Sequence, residues 1–265
     1  MKLIILLFLA IILFTGCDHI NTIKQAVTKK VAASQAHTAK PEKKKKLPKK
    51  DGLVVNKRKD GFILSEINLK DGKLHGPAKD YYADGTLHAE FNYVAGLLEN
   101  EMKWYHKNGN LYKITPYLHG KIHGTEKIYS LEGKLVAEQP YKNGFPGIGI
   151  KEYSREGKAV PSKATIVIEE IDNIALKGEY ILKLSLSDKT KNVKFYTGEL
   201  TEGKYMNDNL TGILTKNGMG EIRYAVPPGF YAMEKLTIIA QKTTRQGGKY
   251  ITQTKYNLAI ENKGL

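Results

Sequence analysis

Apolar and polar positions divide the chain into three regimes. Leu3 to Phe14 is an unbroken apolar run, and Asn21 to Lys50 shows no apolar period. From about residue 51 to the C-terminus, apolar and polar residues alternate in short bursts between glycine-containing turns. Alternation with period two, as in Thr86 to Val94 and Lys134 to Tyr141, predicts half-buried strands. Over residues 51–159 this short period sits inside a long one. Gly61, Gly85, Gly109, Gly133 and Gly157 are 24 apart, and so are Gly72, Gly96, Gly120 and Gly144. The same step of 24 relates Tyr81, Tyr105, Tyr129 and Tyr153, and relates Lys79, Lys103, Lys127 and Lys151. It also relates Leu69, Tyr93, Tyr117 and Tyr141, and Ile63, Leu87, Leu111 and Leu135. Six registers of one period define a structural repeat.

Each repeat carries two turns. Asp60-Gly61, Asp84-Gly85 and Asn108-Gly109, with Glu132-Gly133 and Glu156-Gly157 after them, mark the first kind. Asp-Gly and Asn-Gly supply the positive φ that a tight hairpin needs. Gly72 to Gly76 and Gly120 to Gly124 mark the second kind. An even period returns each residue to the same face of a strand. Strict alternation then puts Leu87, Ala89, Phe91 and Tyr93 together, with Leu111 and Tyr117, and Leu135 and Tyr141, on the equivalent face. The prediction is an elongated antiparallel meander with a core row of Leu and Tyr, whose units stack because one alone buries too little. These stretches resemble the bacterial MORN-variant repeat. The resemblance rests on Gly72 to Gly76 with Tyr81, Tyr82, Gly85 and Leu87, and on Gly120 to Gly124 with Tyr129, Gly133 and Leu135. It extends over about residues 58–158, with Asn100 in place of the second glycine of one copy and Gly144 to Gly149 as an irregular, capping unit. It implies a binding, scaffold or antitoxin-like role and carries no activity.

From about Val160, after which Pro161 marks the boundary, the long period stops. Alternating runs follow at 164–171, 178–187, 193–197, 210–216, 221–226, 236–241 and 249–260. About seven short strands in such a length predict a β-sandwich. Val226 to Tyr231 resembles the Pro-Gly-x-Tyr lead-in to a late strand of fibronectin- and transthyretin-like sandwiches. The expected fold class is therefore all-β: an elongated antiparallel β-hairpin repeat (MORN-like) meander at 51–159, followed by an Ig-like β-sandwich at 160–265.

Composition changes the picture mainly at the N-terminus. The apolar run is shorter than the roughly 20 residues of a spanning helix and fits the core of a signal peptide, residues 1–16. It ends in Leu13, Phe14, Thr15, Gly16 and Cys17, the chain's single cysteine. That sequence resembles the lipobox of bacterial lipoproteins, with Phe14 where Leu is usual. The resemblance implies cleavage before Cys17, a diacylglyceryl group on its thiol, and export to the outer face of the bacterial cell membrane. Asp18 in that family disfavours transfer to an outer membrane. Residues 17–50 form a basic linker, with ten lysines against Asp18 and Glu42, a net +8 of the chain's +15. A run so polar cannot offset its ordering entropy. Two readings remain for Lys43, Lys44, Lys45, Lys46, Lys49 and Lys50: contact with an anionic surface, or a solvated spacer extended by self-repulsion.

Little else suggests chemistry. One cysteine excludes an intramolecular disulfide. The seven histidines, His19, His37, His75, His88, His106, His119 and His123, make no metal-binding spacing. His119 and His123 are close enough in sequence to meet across a turn, though turn histidines are ordinarily surface residues. No nucleophile elbow or phosphate loop occurs. The expectation is a non-enzymatic lipoprotein without cofactor, which touches membrane lipid through acylated Cys17 and an envelope protein or cell-wall polymer through its β domains, and binds no nucleic acid. An immunity-type protein that neutralises an envelope-acting toxin, and an enzyme with a site in the sandwich, are the alternative expectations.

Overall fold

The computed structural model describes residues 51–264, and all of them belong to one compact unit. The strands of the repeat region are β1 (Gly52–Lys57), β2 (Ile63–Lys70), β3 (Lys73–Leu74), β4 (Gly76–Tyr81), β5 (Leu87–Val94) and β6 (Leu97–Tyr105). Then come β7 (Leu111–Leu118), β8 (Lys121–Ile122), β9 (Gly124–Tyr129), β10 (Leu135–Lys142), β11 (Phe145–Pro146) and β12 (Lys151–Glu152). They form one antiparallel meander in the order β1-β2-β4-β5-β6-β7-β9-β10-β11, with β3, β8 and β12 as short additions.

The two kinds of turn divide the work differently from the dipeptide reading. At Gly61, Gly85, Gly109, Gly133 and Gly157 the glycine alone of each pair has positive φ. The glycine N–H closes the turn onto Arg58, Tyr82, His106, Ser130 or Ser154, whose own N–H binds the carbonyl four residues on. This is a type I turn followed by a glycine bulge. Asp84 and Asn108 serve by accepting the N–H of Thr86 and Asn110 on their side-chain oxygens, both at 3.0 Å. The two-residue turns with positive φ at both positions are instead Asp71-Gly72, Ala95-Gly96, His119-Gly120 and Asn143-Gly144. They stack along one edge, for the N–H groups of Gly96, Gly120 and Gly144 bind the carbonyls of Leu74, Leu98 and Ile122 in the preceding repeat. Asn100, in place of glycine, also has φ +64°, a conformation asparagine tolerates better than most residues.

Two expectations about the repeat core need correction. Tyr81 pairs with Leu87 but Asp80 pairs with Ala89, so one extra residue intervenes. The same shift separates Leu111 from Lys113 and Leu135 from Ala137. Directly paired residues share a face, so the bulge puts these leucines with the Tyr81 series and not with Ala89. The fully buried row is also smaller-grained than Leu and Tyr. Ala78, Ala89 and Ala137 are covered, with Leu69 and Thr115, whereas Tyr93, Tyr117 and Tyr141 are half-buried. The alanines are short enough for their neighbours' side chains to close over them, whereas the longer tyrosine rings have no second layer to cover them.

The C-terminal part comprises β13 (Ile166–Asn173), the one-turn helix α1 (Ile174–Lys177), β14 (Glu179–Leu186), β15 (Val193–Thr197), β16 (Thr211–Ile213), β17 (Thr215–Lys216), β18 (Met219–Ala225), β19 (Tyr231–Thr243) and β20 (Lys249–Glu261). One sheet runs β13-β14-β18-β17, the other β16-β15-β19-β20. Named in chain order, these are the A-B-E-D and C′-C-F-G sheets of an immunoglobulin-like sandwich. Leu182, Leu184 and Leu186 of one sheet meet Phe195, Ile238 and Leu258 of the other in a fully buried core. The run 210–216, expected as one strand, breaks at Leu214, which is 90% exposed. There the chain leaves one sheet for the other. Tyr231 opens β19 as the lead-in motif suggests, with its side chain exposed.

A second core joins the repeat region to the sandwich. Phe145 and Ile148 pack on Tyr196, Leu200, Met206, Ile239 and Ile251. Gly147 makes a bridge with Tyr205, while the N–H of Ile148 and of Met206 bind the carbonyls of Lys204 and Pro146. The buried Gln139 amide donates to the Gly147 carbonyl and accepts the N–H of Lys249, both at 2.8 Å. The irregular last repeat is thus a seat on the sandwich.

Candidate interaction surface

Cys17, Asp18, Lys43, Lys44, Lys45, Lys46, Lys49 and Lys50 lie outside the described residues. The surface that the structure does build is the repeat sheet, and its two faces differ in chemistry.

One face carries a charge ladder. Neighbouring partners across the strands run Glu66, Lys79, Glu90, Lys103, Ile114, Lys127, Glu138 and Lys151. Opposite charges across a strand pair contribute about 0.2–1 kcal/mol each, and Lys79 stands 3.6 Å from Glu90. The Tyr105 hydroxyl donates to Glu90 at 2.8 Å and that of Tyr153 to Glu138 at 2.7 Å. Burial and that carboxylate push the Tyr105 phenol up to about 12, and the hydrogen bond to Glu138 raises Tyr153. The 24-residue series of tyrosines and lysines is therefore joined by a glutamate series, Glu66, Glu90 and Glu138, with Ile114 where the fourth would fall. The sequence carries that signal in plain view, but the substitution at Ile114 hides it.

The opposite face holds the buried alanines and a set of polar groups among them. Glu126 is 7% exposed, accepts the Thr115 hydroxyl at 2.9 Å and lies 3.5 Å from the Lys113 ammonium. Asp80 shares this face through its pairing with Ala89. Burial holds the Asp80 carboxyl above the usual carboxylate value, against the opposing pull of His88. Above that raised pKa the carboxyl is ionised folded and unfolded, and the folded state alone bears the desolvation cost. As pH falls through it, the cost is relieved. Asp80→Asn is accordingly expected to raise the melting temperature at about pH 7, with the gain shrinking toward about pH 4. A lower melting temperature at both pH values would contradict this.

Aromatic rings gather near the first kind of turn. Tyr82 lies 4.4 Å from His88, which meets Trp104 edge-on at 5.1 Å. The Tyr82 hydroxyl donates to the Tyr105 carbonyl at 2.7 Å, and the Lys107 ammonium sits 5.8 Å over the Tyr82 ring. One repeat further, His106 packs on Tyr112 at 4.9 Å, and Tyr112 is 41% exposed. Rings that are half packed and half wet suit recognition, since they give contact area at low entropy cost.

His119 and His123 fall at the other edge. His119 Nδ1 lies 2.7 Å from Glu99, while His123 Nδ1 is 3.4 Å from the Asn143 side-chain oxygen. Each histidine therefore faces a neighbouring repeat's residue. Among the described residues no three His, Cys, Asp or Glu come together as a metal site. An open groove of about 470 Å³ lies where β12 meets the start of the sandwich, lined by Glu152, Ser162, Lys163 and Asp188 among others. Its two carboxylates differ: Glu152 Oε1 is buried with no hydrogen-bond partner, and Asp188 is bound to Lys242.

Residues 74–95, 98–119 and 122–143 match the MORN repeat variant family. The three matched segments begin 24 residues apart; each spans one hairpin around a turn of the first kind, at Gly85, Gly109 or Gly133, and ends just before an edge-turn glycine, Gly96, Gly120 or Gly144. The match covers the central strands and leaves β1, β2, β11, β12 and the sandwich outside it. None of the curated proteins matches the chain.

Proposed function

We propose that the protein is a lipid-anchored binding module of the bacterial envelope. Acyl chains on Cys17 hold it at the outer face of the cell membrane, residues 17–50 set its reach, and the MORN sheet, seated on the sandwich, presents the recognition surface. Binding is its whole activity, and the partner is an envelope protein or wall polymer. At about 3.1–3.6 Å per residue, the linker has a reach of roughly 100 Å at full extension. The observation that carries the recognition role is the aromatic edge of the repeat sheet, where the 24-residue step relates Tyr82 to His106 and His88 to Tyr112, with Trp104 packed against His88. The anchor rests on Cys17, the lone cysteine directly after an apolar run and two small residues; two or three chains give the stable attachment that one cannot.

Metabolic labelling with a radioactive fatty acid tests the anchor. The chain is expected to take up label in the cell membrane fraction, and Cys17→Ser to take up none. Undiminished label in Cys17→Ser would overturn the attachment.

A further inference from the structure

The two ends of the repeat sheet are finished differently. At its far end the sandwich closes it through Gly147, Tyr205 and the second core. At its near end β1 pairs with β2 and, among the described residues, with no other strand. Edge strands are ordinarily blunted by proline, bulges or charge along the strand. From Gly52 to Asn56, β1 keeps a regular register and carries no charge, and it presents Leu53 at 61% and Val55 at 39% exposure. We propose that β1 is a dimerisation edge whose occupant is a second copy of this chain, paired antiparallel β1 to β1, so that two repeat sheets run on as one with a sandwich at each outer end.

The side chains select the register. A two-fold axis perpendicular to the sheet keeps each face on its own side, and directly paired residues share a face. Only pairings between residues of like parity then satisfy the symmetry. Leu53 and Val55 lie on the charge-ladder face, since they pair with Asn68 and Glu66. Centring the axis on Val54 places Leu53 against Val55 of the second copy and Asp51 against its Lys57, each contact made twice. Shifting the centre to Val55 would set Leu53 against Lys57, and shifting it to Leu53 would set Asp51 against Val55. Apolar and charge complementarity coincide in one register alone. Asp51 and Lys57 are both exposed, and among the described residues Asp51 otherwise accepts only a long 3.5 Å contact from the Gly72 N–H. This pairing goes beyond the binding role proposed above and does not depend on the anchor.

The test uses the full chain in detergent with Cys17→Ser, which removes its only thiol. Paired antiparallel Cα atoms lie about 4.5–5.5 Å apart, within the reach of a disulfide. Val54→Cys in that background is expected to oxidise to a covalent dimer. Leu131→Cys, in an exposed turn, is expected to stay reduced. By sedimentation, Asp51→Lys is expected to weaken the dimer about tenfold, and Asp51→Lys with Lys57→Asp to restore it. A monomer at every concentration with Val54→Cys still reduced would overturn the proposal. So would a dimer indifferent to both the thiol and the charge exchange.

Discussion

Phe195→Ala is expected to cost about 3–5 kcal/mol of stability, the range for a buried phenylalanine. The ring is 1% exposed and lies in the core between the two sheets of the sandwich. A Cβ at Gly220 would already come within 3.0 Å of it, so the ring fills its site tightly. Leu182, Leu184 and Ile238 of the same core have no exposed surface, which leaves little freedom to collapse into the vacated space. The consequence reaches beyond the sandwich because β15 serves both cores: Phe195 enters one, and Tyr196 enters the core that seats the repeats. Chemical denaturation of the variant is therefore expected to remain a single transition at lower denaturant. A variant whose repeat sheet unfolds separately, at its original midpoint, would show that the seat is not cooperative.

Gly147→Ala should lower stability by about 1–3 kcal/mol, an overpacking cost, although it adds only one methyl group. A Cβ at Gly147 would stand 2.7 and 2.8 Å from the Tyr205 ring, with the Lys204 carbonyl at 3.4 Å. The ring must swing away or the bridge must open, and the neighbouring Gln139 hydrogen bonds open with it. Tyr205→Ala in the Gly147→Ala background removes the obstruction, so the double variant is expected to be more stable than the sum of the single losses predicts. Strict additivity in that cycle would mean that the methyl group acts through backbone conformation and not through the ring.

These two sites show which part of the structure the sequence made legible. The 24-residue step and the period-two alternation are local signals, and they located the hairpins, the turns and nearly every sandwich strand. Parity was not legible at Leu87, Leu111 and Leu135, because a bulge inserts one residue without any marker in composition. The sheet change at Leu214 was hidden because the adjacent Ile213 and Leu214 read as the middle of one continuous run, while the hydrogen-bonding partners change between them and Thr215. The seat of the repeats on the sandwich depends on contacts such as Gln139 with Lys249, 110 residues apart, and no periodicity announces such a pair. Of the candidate surface, the tyrosine series was evident. Its glutamate partners were concealed by the single break at Ile114, and the aromatic cluster by the unequal residues at positions 82, 106 and 112.

The central claim is that an anchored repeat sheet recognises an envelope partner. Photo-crosslinking in the native envelope tests it most directly, with the reactive residue placed at Tyr112 on the repeat sheet or at Met233, 70% exposed on the sandwich. One dominant adduct from Tyr112, absent from Met233 and lost in Cys17→Ser, is the predicted result. Adducts from Met233 alone, or a Tyr112 adduct that persists undiminished in Cys17→Ser, would contradict it.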